Sequence, residues 1–313
     1  MAVRFAVSPT GRYQLSTHQI TCDKNSRGYL GLDSTAMRTD VLDQRNKASL
    51  TFSQVERCRW NVFDLVTIVA KDAIPCTLLC EIDMTWVENL RSEYLEKQIR
   101  ITETAFLLKA IAQAQLAHPL SRTISLPFGR FSLLKEISAG FTVERTVDGQ
   151  ASVFFCTIEE PQRKDLETIM RELSDFSKAA IENQAQLKLQ YRFTRLSRLF
   201  RQLIFKAALF FPKLRTSLVN ASFGLSSLGK YGVTAVTGPC VCTSTFGVGA
   251  IENRPFVMGG ELQIRPQMTL ALLVDERCID SGSAGRFLAD VKMLLEGGLA
   301  ESLQITPVKE DHP

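Results

Sequence analysis

Residues 268 to 274 read Met-Thr-Leu-Ala-Leu-Leu-Val, an almost unbroken apolar run. It is far shorter than the ~18 residues that cross a membrane, and its length suits a strand better than a helix. Without alternation, such a run predicts a strand buried on both faces. A strand of that kind needs sheet partners on either side and a large core around it. The 313 residues, 45% of them hydrophobic, supply that core, as one large domain or two ordinary ones. They also exclude a disordered chain. Eight cysteines spread over this length do not make a disulfide scaffold. No apolar run approaches a membrane span, and none follows a basic N-terminus as a secretory leader would. The expected compartment is therefore a reducing cytoplasm.

Strand and helix signals alternate around that run. Thr77 to Met84 reads as a strand running into Thr85-x-x-Glu88, a capping box that opens a helix to about Gln98. Thr102 starts a second helix, with Leu107, Leu108, Ile111 and Ala114 on one side and Pro119 as its stop. Residues 123 to 158 are strand-like, with Asp148-Gly149 as a hairpin turn. Asp165 opens a helix in which Leu166, Ile169, Met170, Leu173 and Phe176 recur at three and four residues. Further strands are expected at about 221–227, 242–250, 256–264 and 268–275. The last helix presents Ala284, Phe287, Leu288, Val291, Leu294 and Leu295, with Gly297-Gly298 as its stop. Residues 1–48 are polar and rich in turn signals, and are expected to form a separate arm. Residues 49–304 form the main domain, with a basic helical insertion at 185–215, and 305–313 a tail.

The net charge of +4 hides an asymmetry: from Asn183 to Ile251 there is no Asp or Glu. Nine basic residues fall in that stretch, from Lys188 to Lys230. A local positive field follows, and it favours an anionic partner. Leu196, Leu199, Phe200, Leu203, Ile204 and Ala207 make an apolar stripe, while Arg192, Arg195, Arg198 and Arg201 recur every third residue. The expectation is one amphipathic helix, ended by Pro212, with its stripe on the core and its arginines solvated. Contact of this helix with a membrane surface is the lesser alternative. Aromatics are not interleaved at stacking positions and no reading module is present, so nucleic acid is not an expected partner.

Other chemistries are narrowed by composition. The three histidines are His18, His118 and His312, too few and too scattered for a site needing several imidazoles. Cys76 with Cys80, and Cys240 with Cys242, lack the paired spacing of structural zinc. No metal is expected, and these thiols read as buried small residues, the latter pair in a strand. Gly224, Gly229 and Gly232 do not form a phosphate loop.

Five segments nonetheless share an order with a known family. They are Glu81-Ile-Asp83-Met-Thr85, Phe223-Gly-Leu-Ser226-Ser227-Leu-Gly229-x-x-Gly232, Gly247-Val-Gly249-Ala-Ile251-x-x-x-Pro255, Arg265-Pro266-x-Met268-x-Leu270, and Asp275-Glu276-Arg277-Cys278-Ile279-Asp280-Ser281. Over about residues 50 to 300 the chain resembles the catalytic domain of the 2-oxo acid dehydrogenase dihydrolipoamide acyltransferases, which has the chloramphenicol acetyltransferase fold. The resemblance implies an α+β two-layer sandwich, a mixed sheet with helices on one face, and a homotrimer. The basic helix is similar to that of shorter, stand-alone members. Thr21-Cys22-Asp23-Lys24 is similar to a lipoyl-lysine turn, but only 23 residues precede the lysine, too few for that domain. No covalent lipoyl group is expected.

In the resembled family, the histidine of D-H-R-x-x-D-G is the base and a hydroxyl of S-[NS]-L-G donates to the oxyanion, from two different subunits. The resemblance thus assigns Ser226 as oxyanion donor and Asp280 as the residue ordering the loop, paired with Arg57 or Arg59. Glu276 stands at the histidine position and Ser281 at that of a glycine. An ordinary carboxylate is about four units less basic than a thiol, so it serves as base only where burial raises its proton affinity. His118, before Pro119, is not expected to replace the imidazole. Two functions stand side by side. One is an acyltransferase moving an acyl group from coenzyme A or another thioester to a small acceptor. The other is a catalytically inactive trimeric scaffold that binds a related acyltransferase-like chain.

Overall fold

In the computed structural model, which describes residues 59–147 and 150–303, the chain begins with α1 (Trp60–Asp64), extended by a π-type turn over Leu65–Val69. β1 (Pro75–Asp83), α2 (Thr85–Glu96) and α3 (Glu103–Ala117) follow. Then come the hairpin β2 (Thr123–Leu126) and β3 (Arg130–Leu133), the pair β4 (Ser138–Val147) and β5 (Gln150–Glu159), and α4 (Leu166–Lys178). The basic stretch holds α5 (Ala185–Thr194), α6 (Arg198–Phe210) and α7 (Pro212–Leu218). The chain continues with β6 (Phe223–Ser227), β7 (Ser244–Met258), β8 (Glu261–Asp275), α8 (Ser281–Met293) and α9 (Leu299–Ser302). The N-terminal arm, residues 148–149, Arg57 and the tail lie outside the described residues.

Six strands form one mixed sheet in the order β1-β8-β7-β6-β4-β5. β6 is parallel to both its neighbours, and the other pairings are antiparallel. The apolar run lies in β8, and Gln267 to Asp275 are all buried, as a doubly covered strand requires. Met268, Leu270, Leu272 and Val274 enter the main core with Ile82, Phe106, Ile169 and Phe287. Helices α2, α3, α4 and α8 cover that face, which gives the expected α+β sandwich. Asp165 caps α4 by accepting from the Thr168 N–H at 2.6 Å.

The second sheet face is not bare. Leu65 and Val69 after α1, Phe205 of α6, and Val219 and Ala221 before β6 form a smaller apolar cluster there. The expected single basic helix is three helices, with a break at 195–197; α6 ends before Pro212, as expected, and Pro212 then opens α7. Its orientation is also the reverse of the expectation. Leu199 is 80% exposed, and Phe200 and Leu203 are also exposed, while Arg201, Phe205 and Ala208 face inward. The cause is a carboxylate far away in sequence: Arg201 Nε lies 2.8 Å from Asp64 Oδ2, with the two side chains 3% and 0% exposed. The Trp60 ring stacks on the same guanidinium at 4.9 Å.

α5 lies along the free edge of β5. Gln190 accepts from the Phe155 N–H at 3.0 Å and donates back to the Phe155 carbonyl; Gln186 accepts from the Thr157 N–H at 2.9 Å and donates to the Thr157 carbonyl at 3.1 Å. Two amides one turn apart thus satisfy an edge that would otherwise pair with another chain.

Other local expectations shift in ways a neighbour explains. The strand expected at 256–264 is the tip of one long hairpin of β7 and β8, turning at Gly259-Gly260 where φ is 60° and 89°; the expected 242–250 and 268–275 lie in its two arms. Cys240-Val-Cys242 lies in the bend before β7, not in a strand. Thr85 and Glu88 do not form the capping box: Asp83 Oδ1 accepts from the Thr85 N–H at 2.9 Å, and Glu88 pairs with Arg91. Gly297, at φ 134°, bends α8 into a π-type turn rather than ending the helical path.

Removing one partner of a buried ion pair leaves the other charge unpaired, so Asp64→Ala is expected to cost about 3–5 kcal/mol. The double variant Asp64→Leu/Arg201→Met should cost far less. Urea denaturation midpoints of the two variants against the parent check this.

Candidate active site

β6 places Ser226. Along this strand Phe223 and Leu225 point into the main core, whereas Gly224 and Ser226 face the helical insertion. Thr142 of β4 and Thr245 of β7 stand on the same face, under a cavity of about 320 Å³. Its other walls come from the turn after α1 (Leu65, Val66), from α5 (Leu189, Phe193), from Phe205 of α6 and from the 238–242 segment. Ser226 is half-buried at this floor, and among the described residues its hydroxyl has no hydrogen-bond partner.

The glycines of the family segments are explained by close backbone approach. A Cβ on Gly247 would lie 1.8 Å from the Val236 carbonyl oxygen, and one on Gly249 1.9 Å from that of Thr234. The segment after β6 therefore lies flat across β7, held by the Ala250 N–H on the Val233 carbonyl at 2.8 Å.

Two of the other segments meet at one ion pair. Arg265 Nη1 binds Asp83 Oδ2 at 2.8 Å, and the Met84 N–H donates to the Pro266 carbonyl at 2.8 Å. Partial burial works against ionisation of Asp83, but bonds from Thr85 and Arg265 outweigh it and hold the carboxyl below its ordinary range.

The 275–281 loop is ordered by Asp275, a residue not singled out from the sequence. Its carboxylate takes a two-pronged grip from Arg277, at 2.6 Å from Nη2 and 2.9 Å from Nε, and accepts the Ile74 N–H at 3.2 Å. Burial opposes the charge, yet these donors hold Asp275 below the ordinary carboxylate range. Asp280 makes no ion pair with Arg59. It caps α8 instead, accepting from the Ser283 N–H at 2.8 Å and the Ser283 hydroxyl at 2.7 Å, which lowers its pKa. Arg57, the other expected partner, lies outside the described residues. Ser281 is the first residue of α8. Glu276 is exposed, with its N–H on the Ile74 carbonyl at 2.8 Å. Desolvation and the adjacent Glu276 carboxylate push the Cys76 thiol up. Burial pushes Cys240 and Cys242 up to about 12 each, so neither is a ready nucleophile. His118 bonds Asp290 at 2.7 Å and lies against Phe287, tying α3 to α8.

Ser226 and Glu276 do not meet within one chain. Ser226 is in register with Gly247, and Gly247 with Ala271; Glu276 comes five residues after Ala271. Two strand spacings and five residues put them on the order of 15–20 Å apart. Among the described residues no group of three or more His, Cys, Asp or Glu could hold a metal ion.

A hydroxyl on a short parallel strand thus stands beside glycines that admit a crossing segment and below an apolar cavity. Residues 213–303 match the model of the 2-oxoacid dehydrogenases acyltransferase catalytic domain. The pyruvate dehydrogenase acetyltransferase component of Corynebacterium glutamicum is 24% identical over 232 residues, 70% of this chain and 30% of the relative. The 2-oxoglutarate dehydrogenase succinyltransferase component of Haemophilus influenzae is 27% identical over 233 residues, 70% of this chain and 47% of the relative. The chain thus spans less than half the length of these curated relatives. A crystal structure of Azotobacter vinelandii dihydrolipoamide acetyltransferase superposes with a TM-score of 0.61 at 20% identity, covering 88% of this chain and 99% of that one. The chain is thus similar to the dihydrolipoamide acyltransferases and has the fold of their catalytic domain.

Asp275 is held below its ordinary pKa, so its contribution to stability is present above the unfolded value of about 3.9 and lost as pH falls through the folded value. Asp275→Asn should cost about 1–3 kcal/mol at pH 7, with the gap to the parent closing below about pH 4. Denaturant melts from pH 3 to pH 7 check this.

Proposed function

We propose that the protein is an acyltransferase that moves an acyl group from coenzyme A or another thioester to a small acceptor, working as a homotrimer. The observation that carries it is Ser226: a hydroxyl without a partner among the described residues, on the strand that matches the family segment, at the floor of an apolar cavity. The distance between Ser226 and Glu276 within one chain supports a site completed by a neighbouring copy. Exposed apolar residues on the outer half of the β7–β8 hairpin, Val257, Leu262 and Ile264, support association. The Azotobacter structure was studied for the role of a serine, a histidine and an asparagine in catalysis, the last two four residues apart. Glu276 and Asp280 have the same spacing.

In this scheme the acceptor thiol or hydroxyl attacks the thioester carbonyl and its proton passes to Glu276 of a neighbouring copy. Ser226 donates to the oxyanion of the tetrahedral intermediate. Collapse breaks the carbon–sulfur bond, and the leaving thiolate takes the proton back from Glu276. Closure by the neighbour would bury Glu276 and strengthen it as a base. The acid-free stretch from Asn183 to Ile251 favours an anionic donor such as coenzyme A. Asp280 serves by capping α8, which fixes the end of the loop.

The exposure of Glu276 on the single chain favours the second reading, an inactive trimer that binds a related acyltransferase-like chain.

Transfer from a panel of acyl-CoA donors decides between them. Ser226→Ala should lower kcat by about 10²–10³, and Glu276→Gln by about 10²–10⁴. Mixing the two variants under conditions that exchange subunits should restore part of the activity. A parent protein no faster than buffer with any donor would sink the enzyme reading, and co-purification of a related chain from native extract would then support the scaffold.

A further inference from the structure

We propose that the cavity beneath the helical insertion binds a medium-chain apolar acyl group of about eight to twelve carbons, with its carbonyl end at Ser226; this rests on the acyl-transfer reading of that residue. The volume sets the length. An apolar cavity of about 150 Å³ takes benzene, and the 320 Å³ here is roughly double that. An acetyl group would leave most of it unfilled.

The lining sets the chemistry. Among the described residues no Asp, Glu, Lys, Arg or His contributes to the walls. A dicarboxylic acyl group such as succinyl would bury a carboxylate there without a partner, a heavy cost, whereas a hydrocarbon chain meets Leu65, Val66, Phe193, Phe205 and Val241 along the walls. The polar groups Thr142, Ser226 and Thr245 stand together on the sheet floor, which orients the one polar end of such a ligand.

Topology points the same way. The sheet supplies the hydroxyl, but the roof is built by α1, its π-type turn, α5 and α6. The buried Asp64–Arg201 pair clamps α1 to α6, so the roof is a fixed wall with a set chain-length limit.

The test is calorimetric binding of the 313-residue chain to saturated acyl-CoA thioesters from two to sixteen carbons, with free coenzyme A and succinyl-CoA. The same chain lengths are run as S-acyl pantetheines, which lack the nucleotide phosphates and distinguish a coenzyme A donor from a carrier-bound one. Affinity should rise by up to about fourfold per methylene, from about 0.8 kcal/mol per buried CH₂, and level off near ten carbons. Succinyl-CoA should bind no more tightly than free coenzyme A. Val66→Phe and Val241→Phe, on opposite walls, should bring the plateau forward by several carbons without changing binding of free coenzyme A. No dependence on chain length in either series of the parent protein overturns the proposal, as does an unmoved plateau in folded Phe variants. Turnover is measured separately. Graded binding without transfer removes the acyl-transfer reading and keeps the cavity assignment, while acetyl transfer without graded binding does the reverse.

Discussion

β6 is five residues long and parallel to both of its neighbours, and its alternation divides the molecule. Phe223 and Leu225 fill the main core on one side. Gly224 and Ser226 leave room on the other, where the cavity lies. A large side chain at either of those two positions would occupy that room. The strand's central place is secured from both flanks. On one side β7 ties it to β8, buried on both faces by its unbroken apolar run, and on the other β4 carries the core across to the sheet edge. Ser226 and the cavity floor around it are positioned by this one short element.

The helical insertion supplies what the sheet cannot. It closes the edge of β5 with two glutamine side chains and puts a roof over Ser226. Ionic and apolar contacts hold that roof together. The Asp64–Arg201 pair fixes the angle of α6 to α1, and Phe205 with Leu65 and Val69 fills the space beside it. A buried ion pair contributes little net stability compared with apolar replacements, but its geometry is directional. The insertion therefore has one defined position over the sheet.

Much of the fold was legible in the residues. The periods of α4 and α8, the cap at Asp165 and the doubly buried strand follow from side-chain spacing and hold as expected, whereas α3, expected to bury one side, is buried from Ala105 to Ala112 on every side. The segments around Ser226 and Asp275–Ser281 were legible only as likeness to a family. Asp275 escaped notice because nothing local marks an aspartate at a strand end as the anchor of an arginine two residues on. The expected ion pair of Asp280 failed for the opposite reason: a hydroxyl three residues ahead, Ser283, is nearer than any guanidinium and suits a helix N-cap.

Local pattern alone determined most of the strands and helices of the main sheet layer and the apolar faces of α4 and α8, because those depend on spacings of two to four residues. Which apolar face was covered, and by what, was decided in tertiary structure. Arg201 turned inward because Asp64, 137 residues away in sequence, met it, leaving Leu199 and Phe200 outside. The cavity over Ser226 exists because four separate segments converge on β6, and no spacing within any one of them encodes the volume between them.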